Sequence, residues 1–347
     1  MLCALIMVGG KGTRFWPAST EKKPKQFLKL ISEKTMIQET VDRLLPIIPI
    51  EQIFICTSEI YCNLVKEQLP DLPENNIIIE PMGRNTAPCI LLSSLYIQQI
   101  HKDCKVVVVP ADSAINDKEN YLETLKAADY FLDNLSEAII TIGITPNRPD
   151  TGYGYIKTEK YITSFNDKKI LKVEKFVEKP NRERAKFYIS EGNYLWNAGM
   201  FVFNVEFMIQ QFKDLASNIY DVLIQLPNSQ NNNYQEMLQK LYSECEPISV
   251  DYAIMEKSHN IYVIPSEFGW DDVGSWGALE RYMSIDNNNN IIKGNVFLNN
   301  CHDSIIYADD KTIIIDELKD IYCIQSGNHI VIGPKSKLNK VHEFRGK

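Results

Sequence analysis

Short apolar runs alternate with segments of helical spacing through the first half of the chain. The runs, rich in Ile and Val, are LCALIMV (2–8), QIFICT (52–57), NIIIE (76–80), KVVVVP (105–110) and AIITIG (138–143). Runs of this length and composition are typical of strands buried on both faces. The segments between them, such as those after Thr35 and Asn85, have apolar residues at helical intervals. The alternation predicts an α/β fold with a Rossmann-like, mostly parallel sheet flanked by helices.

The pattern of apolar and polar residues changes twice in the second half of the chain. From about residue 151, GYGYIKT, ILKVEKFVEKP and YLWNAGMFVFN look like strands interrupted by Gly and polar residues. After SIDNNNN (284–290), the runs NVFL, SIIYA, TIIID, IYCIQ and HIVIG recur every 8 or 9 residues. This regular spacing predicts a small all-β, β-helix-like module. The Asn run therefore marks a predicted boundary between a domain at 1–284 and a module at 285–347.

Charge and thiol content narrow the classes of partner. The net charge of −8 argues against nucleic acid, which needs a basic surface. However, residues 11–25 carry five cations against one acid, which favours a small anionic ligand. The eight cysteines include no C-x-x-C pair, as expected of reduced thiols in a cytoplasmic protein. No apolar stretch reaches the roughly 18–20 residues that span a bilayer, so no membrane partner is expected.

The loop GGKGTR (9–14) directly follows the first predicted strand, at the sheet edge where α/β proteins bind ligands. Successive N–H groups in a glycine turn can converge on a phosphate, and an Arg can grip its oxygens. The loop lacks the third Gly of a dinucleotide fingerprint and the G-K-[ST] of a Walker loop, and a plain β–α turn is the alternative. The predicted phosphate contacts are Gly9, Gly10, Gly12, Thr13 and Arg14.

GGKGTRFWPAS together with PKQF (24–27) resembles the signature of sugar-1-phosphate nucleotidyltransferases, in particular mannose-1-phosphate guanylyltransferases. The resemblance continues in the family's order through seven further blocks: EPMGRNTAP (80–88), VVPAD (108–112), TGYGYIK (151–157), FVEKP (176–180), LWNAGMFVF (195–203), SVDYAIMEK (249–257) and WDDVGSW (270–276). It covers almost the whole chain. One departure is Ser113, because the family commonly has His after the aspartate of its P-x-D step.

The resemblance implies an enzyme that transfers GMP from GTP to mannose 1-phosphate, giving GDP-mannose and pyrophosphate with Mg²⁺ as cofactor. Residues 1–284 would be the catalytic domain, and the chain would be the short form without the isomerase domain of longer members. The terminal β module is a candidate surface for a homodimer. Two alternatives remain: a related enzyme using another sugar 1-phosphate or nucleotide, and an inactive protein that binds nucleotide sugars.

The resemblance also assigns the charged residues. Asp112 and Asp272 are expected to hold the metal, with Asp272 rather than Asp271 as the ligand because it stands directly before Val-Gly. Arg14 and Lys25 are expected to contact the triphosphate and stabilise the leaving pyrophosphate. These four are the predicted catalytic residues.

Base and sugar recognition are assigned to polar residues in the remaining blocks. A carboxylate can accept both donors on the edge of guanine, so Glu80 at the end of NIIIE is a candidate reader of the base; backbone carbonyls nearby are the alternative. The other predicted nucleotide contacts are Gly83, Asn85 and Ala111. Buried polar groups need partners, which a sugar supplies. The predicted sugar-phosphate contacts are Gly154, Glu178, Lys179, Asn197 and Asp251.

Overall fold

The computed structural model describes residues 1–10, 12–177 and 179–345. The chain forms two compact units, each built from separate segments. Unit 1 contains Met1–Gly9, Val41–Ala111 and Ile115–Trp270, and unit 2 contains Gly10–Thr40, Asp112–Ala114 and Asp271–Lys347. The predicted boundary between residues 284 and 285 falls inside unit 2. The division into a domain at 1–284 and a module at 285–347 therefore stays a prediction.

Helices and strands alternate through the chain. The α-helices of the described residues are α1 (Met36–Leu44), α2 (Cys62–Gln68), α3 (Thr86–Ile100), α4 (Lys118–Asn134), α5 (Arg182–Glu191), α6 (Val205–Leu215), α7 (Ser217–Leu223) and α8 (Tyr234–Glu244). Short 3₁₀ segments lie at Thr13–Phe15, Lys25–Phe27, Ile50–Gln52, Glu59–Tyr61, Glu74–Asn76, Trp276–Arg281 and Lys335–Phe344, and a π turn at Asp251–Met255. None of the described helices is both long and apolar enough to cross a membrane.

The strands up to the C-terminal module are β1 (Leu2–Val8), β2 (Ile53–Ser58), β3 (Ile77–Glu80), β4 (Lys105–Pro110), β5 (Ala114–Ile115), β6 (Ile139–Ile144), β7 (Tyr155–Phe165), β8 (Lys168–Val177), β9 (Tyr194–Asn204), β10 (Ile261–Ser266) and β11 (Trp270–Asp271). The module contains β12 (Ile291–Lys293), β13 (Val296–Asn299), β14 (Ile305–Ala308), β15 (Ile313–Asp316), β16 (Ile321–Ser326) and β17 (His329–Pro334).

A mixed sheet forms the centre of unit 1. In the described part of the chain its strand order is β3-β2-β1-β4-β9-β6-β10-β8-β7. Strands β3, β2, β1 and β4 are parallel, as are β6 and β10, whereas β9 runs antiparallel to both β4 and β6. Helices α3 and α6 supply much of the apolar core, in which Phe54, Leu91 and Phe212 are fully buried. The predicted α/β architecture is confirmed.

The C-terminal strands of unit 2 pair with the strand after next. Strands β12, β14 and β16 form one parallel ladder, and β13 and β15 form a second. Each turn of the chain thus adds one strand to each of two ladders, which is the arrangement of a β-helix. Strand β17 folds back antiparallel on β16 and closes the first ladder on that side. The predicted β-helix-like module is confirmed.

Trp276 is the centre of the main apolar core of unit 2. Its fully buried ring lies 5.2 Å from that of Phe15 and 5.0 Å from that of Tyr307, between ring centroids. The indole N–H donates a 3.1 Å hydrogen bond to the carbonyl oxygen of Trp16. This one side chain therefore packs the segment after the glycine loop, the WDDVGSW segment and the β module together.

Replacing this side chain tests the packing. Trp276→Ala is expected to lower the free energy of unfolding by about 3–5 kcal/mol, because it leaves a cavity among three packed segments. Urea denaturation followed by circular dichroism measures the change. Phe297 on β13, which is 60% exposed, provides the control, and Phe297→Ala should change stability by only about 0.5 kcal/mol. Equal effects of the two substitutions would show that Trp276 does not organise unit 2.

Candidate functional site

The glycine loop approaches the backbone of Lys25. Gly10 and Gly12 have φ of +90° and +52°, values that side chains disfavour. A Cβ atom on Gly12 would lie 2.6 Å from the Lys25 amide nitrogen, so only glycine fits there. Gly9 and Gly10 are exposed, and no atom lies within 4 Å of a Cβ built on either. The loop is therefore exposed to solvent at these two glycines, while Gly12 fixes it against the next segment.

Lys25 connects the two segments that carry the predicted metal ligands. Its side chain is only 7% exposed, and its ammonium lies 3.0 Å from Asp112 Oδ2. It also donates to the main-chain oxygen of Asp112 at 2.8 Å and to the main-chain oxygen of Asp272. A buried cation is costly unless it is paired and hydrogen-bonded, and these three oxygens meet that requirement. The ammonium thereby holds Asp112 and Asp272 in one cluster within unit 2.

The carboxylate of Asp272 lies beside the guanidinium of Arg14. A Cβ atom on Gly274 would lie 2.9 Å from Asp272 Oδ2 and 3.3 Å from Arg14 Nη1. Both groups thus pack around the bare Cα of this glycine, and Arg14 is exposed to solvent. The predicted catalytic residues Arg14, Lys25, Asp112 and Asp272 all lie in unit 2.

The neighbouring carboxylate, Asp271, has a structural environment. It is 2% exposed, pairs with Arg281 at 2.6 Å and accepts a 2.7 Å hydrogen bond from the Val273 amide. Val273 is buried at φ +46°, an unfavourable region for a β-branched residue. Asp272, by contrast, is only half-buried. These environments favour Asp272 over Asp271 as the residue that reaches a ligand.

The donor set of the cluster suits a hard divalent cation. Asp112 and Asp272 offer carboxylate oxygens, and the side chain of Asp112 is 41% exposed. Two carboxylates provide only part of an octahedral shell, which is how Mg²⁺ binds beside phosphate oxygens and waters. The residues present therefore fit a metal whose remaining ligands come from a phosphate substrate and solvent.

In unit 1, Glu80 ends β3 and is tied to α8. Its Oε1 accepts a 2.5 Å hydrogen bond from the Tyr242 hydroxyl and a 3.4 Å bond from the Arg84 amide. Burial raises the pKa of the Glu80 carboxyl, and the Tyr242 hydrogen bond opposes this effect. Two predicted neighbours lie nearby in sequence: Asn85 uses its Oδ1 to cap α3 at the Thr86 amide, and Gly83 is exposed.

Asn197 and Asp251 meet through a β-bulge. Thr141 pairs with Phe201 and Gly143 with Asn197, so β9 has two more residues than β6 in this interval. The extra residues turn Asn197 so that its Nδ2 donates a 2.7 Å hydrogen bond to Asp251 Oδ1. Bulges of this kind often redirect side chains beside functional sites.

Backbone contacts complete this group in unit 1. The Asn197 amide donates to the Gly154 carbonyl at 2.8 Å, and its Oδ1 accepts a 3.0 Å bond from Gly199, which has φ of +66°. Asp251 begins the π turn. Three of the predicted sugar-phosphate contacts, Gly154, Asn197 and Asp251, are thus linked to one another.

The remaining predicted residues are Glu178, Lys179 and Ala111. Glu178 lies outside the described residues. Lys179 is exposed and has a φ of +29°. Ala111 is buried at the end of β4, where its amide donates a 3.2 Å bond to the Met7 carbonyl.

Three polar residues in unit 1, Arg148, Asp150 and Tyr242, were missed by sequence reasoning. The Arg148 guanidinium lies 4.8 Å from the Trp196 ring centroid, pairs with Asp150 and donates to the Tyr153 hydroxyl at 3.0 Å. It therefore stiffens the TGYGY segment. The position of Arg148 and Asp150 just before that motif was a usable signal. No sequence signal pointed to Tyr242, because its hydrogen-bond partner Glu80 is 162 positions away.

Comparison with known proteins decides the family. The sequence model described as Nucleotidyl transferase matches residues 3–289. The chain belongs to the nucleotidyl transferase family. It is therefore an enzyme of the nucleotidyltransferase type, and the resemblance noted in the sequence is confirmed.

Individual relatives in the nucleotidyl transferase family cover nearly the whole chain. A mannose-1-phosphate guanylyltransferase of Klebsiella pneumoniae is 35% identical over 336 residues, which is 96% of this chain and 70% of the relative. The alginate biosynthesis protein AlgA of Pseudomonas aeruginosa is 33% identical over 343 residues, 97% of this chain and 70% of the relative. A crystal structure described as mannose-1-phosphate geranyltransferase from Thermus thermophilus matches with a TM-score of 0.84 and 30% identity, covering 99% of this chain and 97% of that one.

The Lys25 cluster leads to a stability prediction. Lys25→Met keeps most of the apolar volume but leaves the Asp112 carboxylate and two carbonyl oxygens without their donor. We expect a loss of about 1–3 kcal/mol in the free energy of unfolding, measured by urea denaturation. Lys23 is solvent-exposed, and Lys23→Met provides the matched control, with an expected change within about 0.5 kcal/mol. If both substitutions have the same effect, the buried ammonium does not stabilise unit 2.

The Glu80 environment leads to a pH prediction. Because burial raises the pKa of Glu80 in the folded protein, the folded state binds the proton more tightly than the unfolded chain. Stability from this group is present below the unfolded pKa and is lost as pH rises through the folded pKa. Glu80→Gln should therefore gain stability relative to the parent protein as pH rises from about 4 to 8. Denaturation of both proteins at the acidic end provides the reference. A difference that is constant with pH, or that falls, contradicts the prediction.

Proposed function

We propose that this protein is a mannose-1-phosphate guanylyltransferase, which converts GTP and mannose 1-phosphate into GDP-mannose and pyrophosphate. The similarity to the mannose-1-phosphate guanylyltransferase of Klebsiella pneumoniae supports the substrate pair. The observation that carries the proposal is the Lys25 cluster, in which one ammonium contacts both aspartate-bearing segments. A nucleotidyl transfer needs cations and carboxylates together where phosphates react, and this cluster supplies both.

In the proposed reaction, an oxygen of the sugar phosphate attacks the α-phosphorus of GTP in line. A new P–O bond forms while the bond to the β-phosphate oxygen breaks, and pyrophosphate leaves with its electron pair. Both substrates are polyanions, so catalysis consists mainly of positioning and of neutralising charge. Arg14 and Lys25 are the proposed contacts to the triphosphate and the leaving pyrophosphate, and Gly9, Gly10, Gly12 and Thr13 are the proposed main-chain contacts of the glycine loop. Lys179 is the proposed contact to the sugar phosphate.

Asp112 and Asp272 are the residues that would hold Mg²⁺. When bound there, the ion would polarise phosphate oxygens and neutralise their charge. The hydrogen bond from Lys25 orients the Asp112 carboxylate, and Arg14 lies beside that of Asp272. The chain thus sets the direction of both proposed metal ligands before a substrate arrives.

The base and the sugar are assigned to unit 1. Glu80 is the proposed acceptor for guanine, held in place by Tyr242, with Gly83, Asn85 and Ala111 as further nucleotide contacts. The linked pair of Asn197 and Asp251, together with Gly154, is proposed to bind the mannose hydroxyls. A pair of side chains that already satisfy each other can exchange hydrogen bonds with a sugar at little cost. The homodimer, the cytoplasmic location and the absence of a nucleic-acid partner stay predictions.

A substrate-matrix assay tests the proposal. Pyrophosphate release is measured with Mg²⁺ for GTP, ATP, UTP and dTTP, each with mannose, glucose or N-acetylglucosamine 1-phosphate. GTP with mannose 1-phosphate should exceed every other pair by about 100-fold, because unpaired polar groups in the site reject the wrong base or sugar. Asp112→Ala and Asp272→Ala should each lower turnover by at least about 10²–10³.

Asp71 is exposed in unit 1, and Asp71→Ala provides the control, with unchanged turnover expected. Far-ultraviolet circular dichroism shows whether each variant is folded. Normal turnover in either folded Asp112→Ala or Asp272→Ala protein would remove that residue from the reaction. Preference for another nucleotide or sugar would replace the proposed substrates while leaving the enzyme class intact.

A further inference from the structure

Three side chains with metal-binding atoms converge in unit 1. The Sγ atoms of Cys56 and Cys89 and one carboxylate oxygen of Glu80 all lie within 4.8 Å of one another. The two cysteines are 2% and 6% exposed, whereas Glu80 is half-buried. Within the described residues this is the one group of three or more His, Cys, Asp or Glu side chains that meets this distance.

The fold explains the convergence. Cys56 on β2 pairs with Ile78, and Ser58 pairs with Glu80 at the end of β3. Since side chains two positions apart in a strand point to the same face, Cys56 and Glu80 share one face of the sheet as diagonal neighbours. Cys89 lies in the first turn of α3, and both cysteines belong to the core that this helix and the strands build.

The spacing of these atoms is close to that of a tetrahedral zinc site. With Zn–S near 2.3 Å and Zn–O near 2.0 Å, tetrahedral ligand atoms lie about 3.5–3.8 Å apart. The three atoms already lie within 4.8 Å of one another. Side-chain rotations that move the ligand atoms by about 1 Å would bring them to the tetrahedral spacing. Thiolates and carboxylates are both ligands of Zn²⁺, a borderline-soft cation, whereas thiolates are poor ligands for Mg²⁺.

The surroundings supply an outer partner, and burial differs across the group. The Tyr242 hydroxyl donates to Glu80 Oε1 at 2.5 Å and so orients the carboxylate, as outer partners of metal ligands do. Glu80 is half-buried, so the group is more exposed at its carboxylate than at the two buried thiols. A fourth ligand position is then open to a water molecule, as in sites with three protein ligands.

We propose that Cys56, Cys89 and Glu80 bind one borderline-soft divalent cation, with Zn²⁺ as the expected ion. The site uses none of the residues proposed to hold Mg²⁺, but it shares Glu80 with the proposed guanine contact. Binding displaces one proton from each thiol to solvent, and the resulting thiolates form the two metal–sulfur bonds. No electrons are transferred in this step.

A hydrogen bond with Cys56 and burial raise the pKa of the Cys89 thiol. A titratable neighbour of the group is Tyr242 on α8, whose hydroxyl donates to Glu80 and whose pKa is also raised by burial. The divalent cation would balance the two negative charges that the thiolates acquire when their protons leave.

A metal titration of the full chain tests the proposal. The protein is treated with a chelator and a phosphine reductant, and Zn²⁺ binding is measured by calorimetry. Co²⁺ serves as a spectroscopic probe. We expect one Zn²⁺ per chain and a thiolate-to-cobalt charge-transfer band that excess Mg²⁺ leaves unchanged. Cys89→Ser should weaken Zn²⁺ binding by about 100-fold or more, and Tyr242→Phe by about 10-fold.

The chain contains its own matched control. Cys3 is buried and its thiol hydrogen-bonds that of Cys104, a pair outside the group of three, so Cys3→Ser should leave Zn²⁺ binding unchanged. If Cys89→Ser does not fold, Cys56→Ser and Glu80→Gln give the same comparison. The proposal is overturned if Zn²⁺ does not bind stoichiometrically, if the charge-transfer band is absent, or if binding persists in these variants. Loss of both thiols to a Cys56–Cys89 disulfide that resists the reductant would also overturn it.

Discussion

The buried ammonium of Lys25 is the interaction on which the candidate catalytic cluster depends. It bonds one carboxylate oxygen and two main-chain oxygens from segments that are far apart in the sequence. Removing a cation from water is favourable only with such compensation. The ammonium also limits where Asp112 and Asp272 can lie, because both segments must reach the same Nζ atom. The contacts that compensate the buried charge of Lys25 therefore also determine the positions of Asp112 and Asp272.

Two glycines leave the space that the Lys25 cluster needs. Gly12 admits the Lys25 amide, and Gly274 leaves room for the Asp272 carboxylate beside Arg14. Val273, which lies between Asp272 and Gly274 in the sequence, adopts a left-handed conformation that costs free energy. Its burial and the hydrogen bond to Asp271 offset that cost. The result is that two adjacent aspartates have different roles, one pairing with an arginine and the other facing the cluster.

In unit 1, irregular backbone segments position some of the polar side chains. A bulge in β9 brings Asn197 to Asp251, which itself starts a π turn. Bulges and π turns are frequent at functional positions because they release a side chain from the regular pattern of its element. Glu80 is different, since it ends a regular strand and gains its environment from packing. Its position next to two thiols gives the same carboxylate two candidate ligands, a base and a metal ion.

The sequence by itself determined the elements of the fold. Apolar periodicity placed β1, β4 and α3, and the regular spacing after residue 290 indicated the β-helix-like module, because these patterns reflect local burial. Ordered motifs such as GGKGTR and WDDVGSW also identified the family. Only the tertiary structure decided which side chains meet: Lys25 with Asp112, Asn197 with Asp251, and Glu80 with Cys56 and Cys89. These contacts depend on strand register, on a bulge and on loops that approach within van der Waals distance. Such features are set by the packing of the whole chain and leave no periodic signal in the residues themselves.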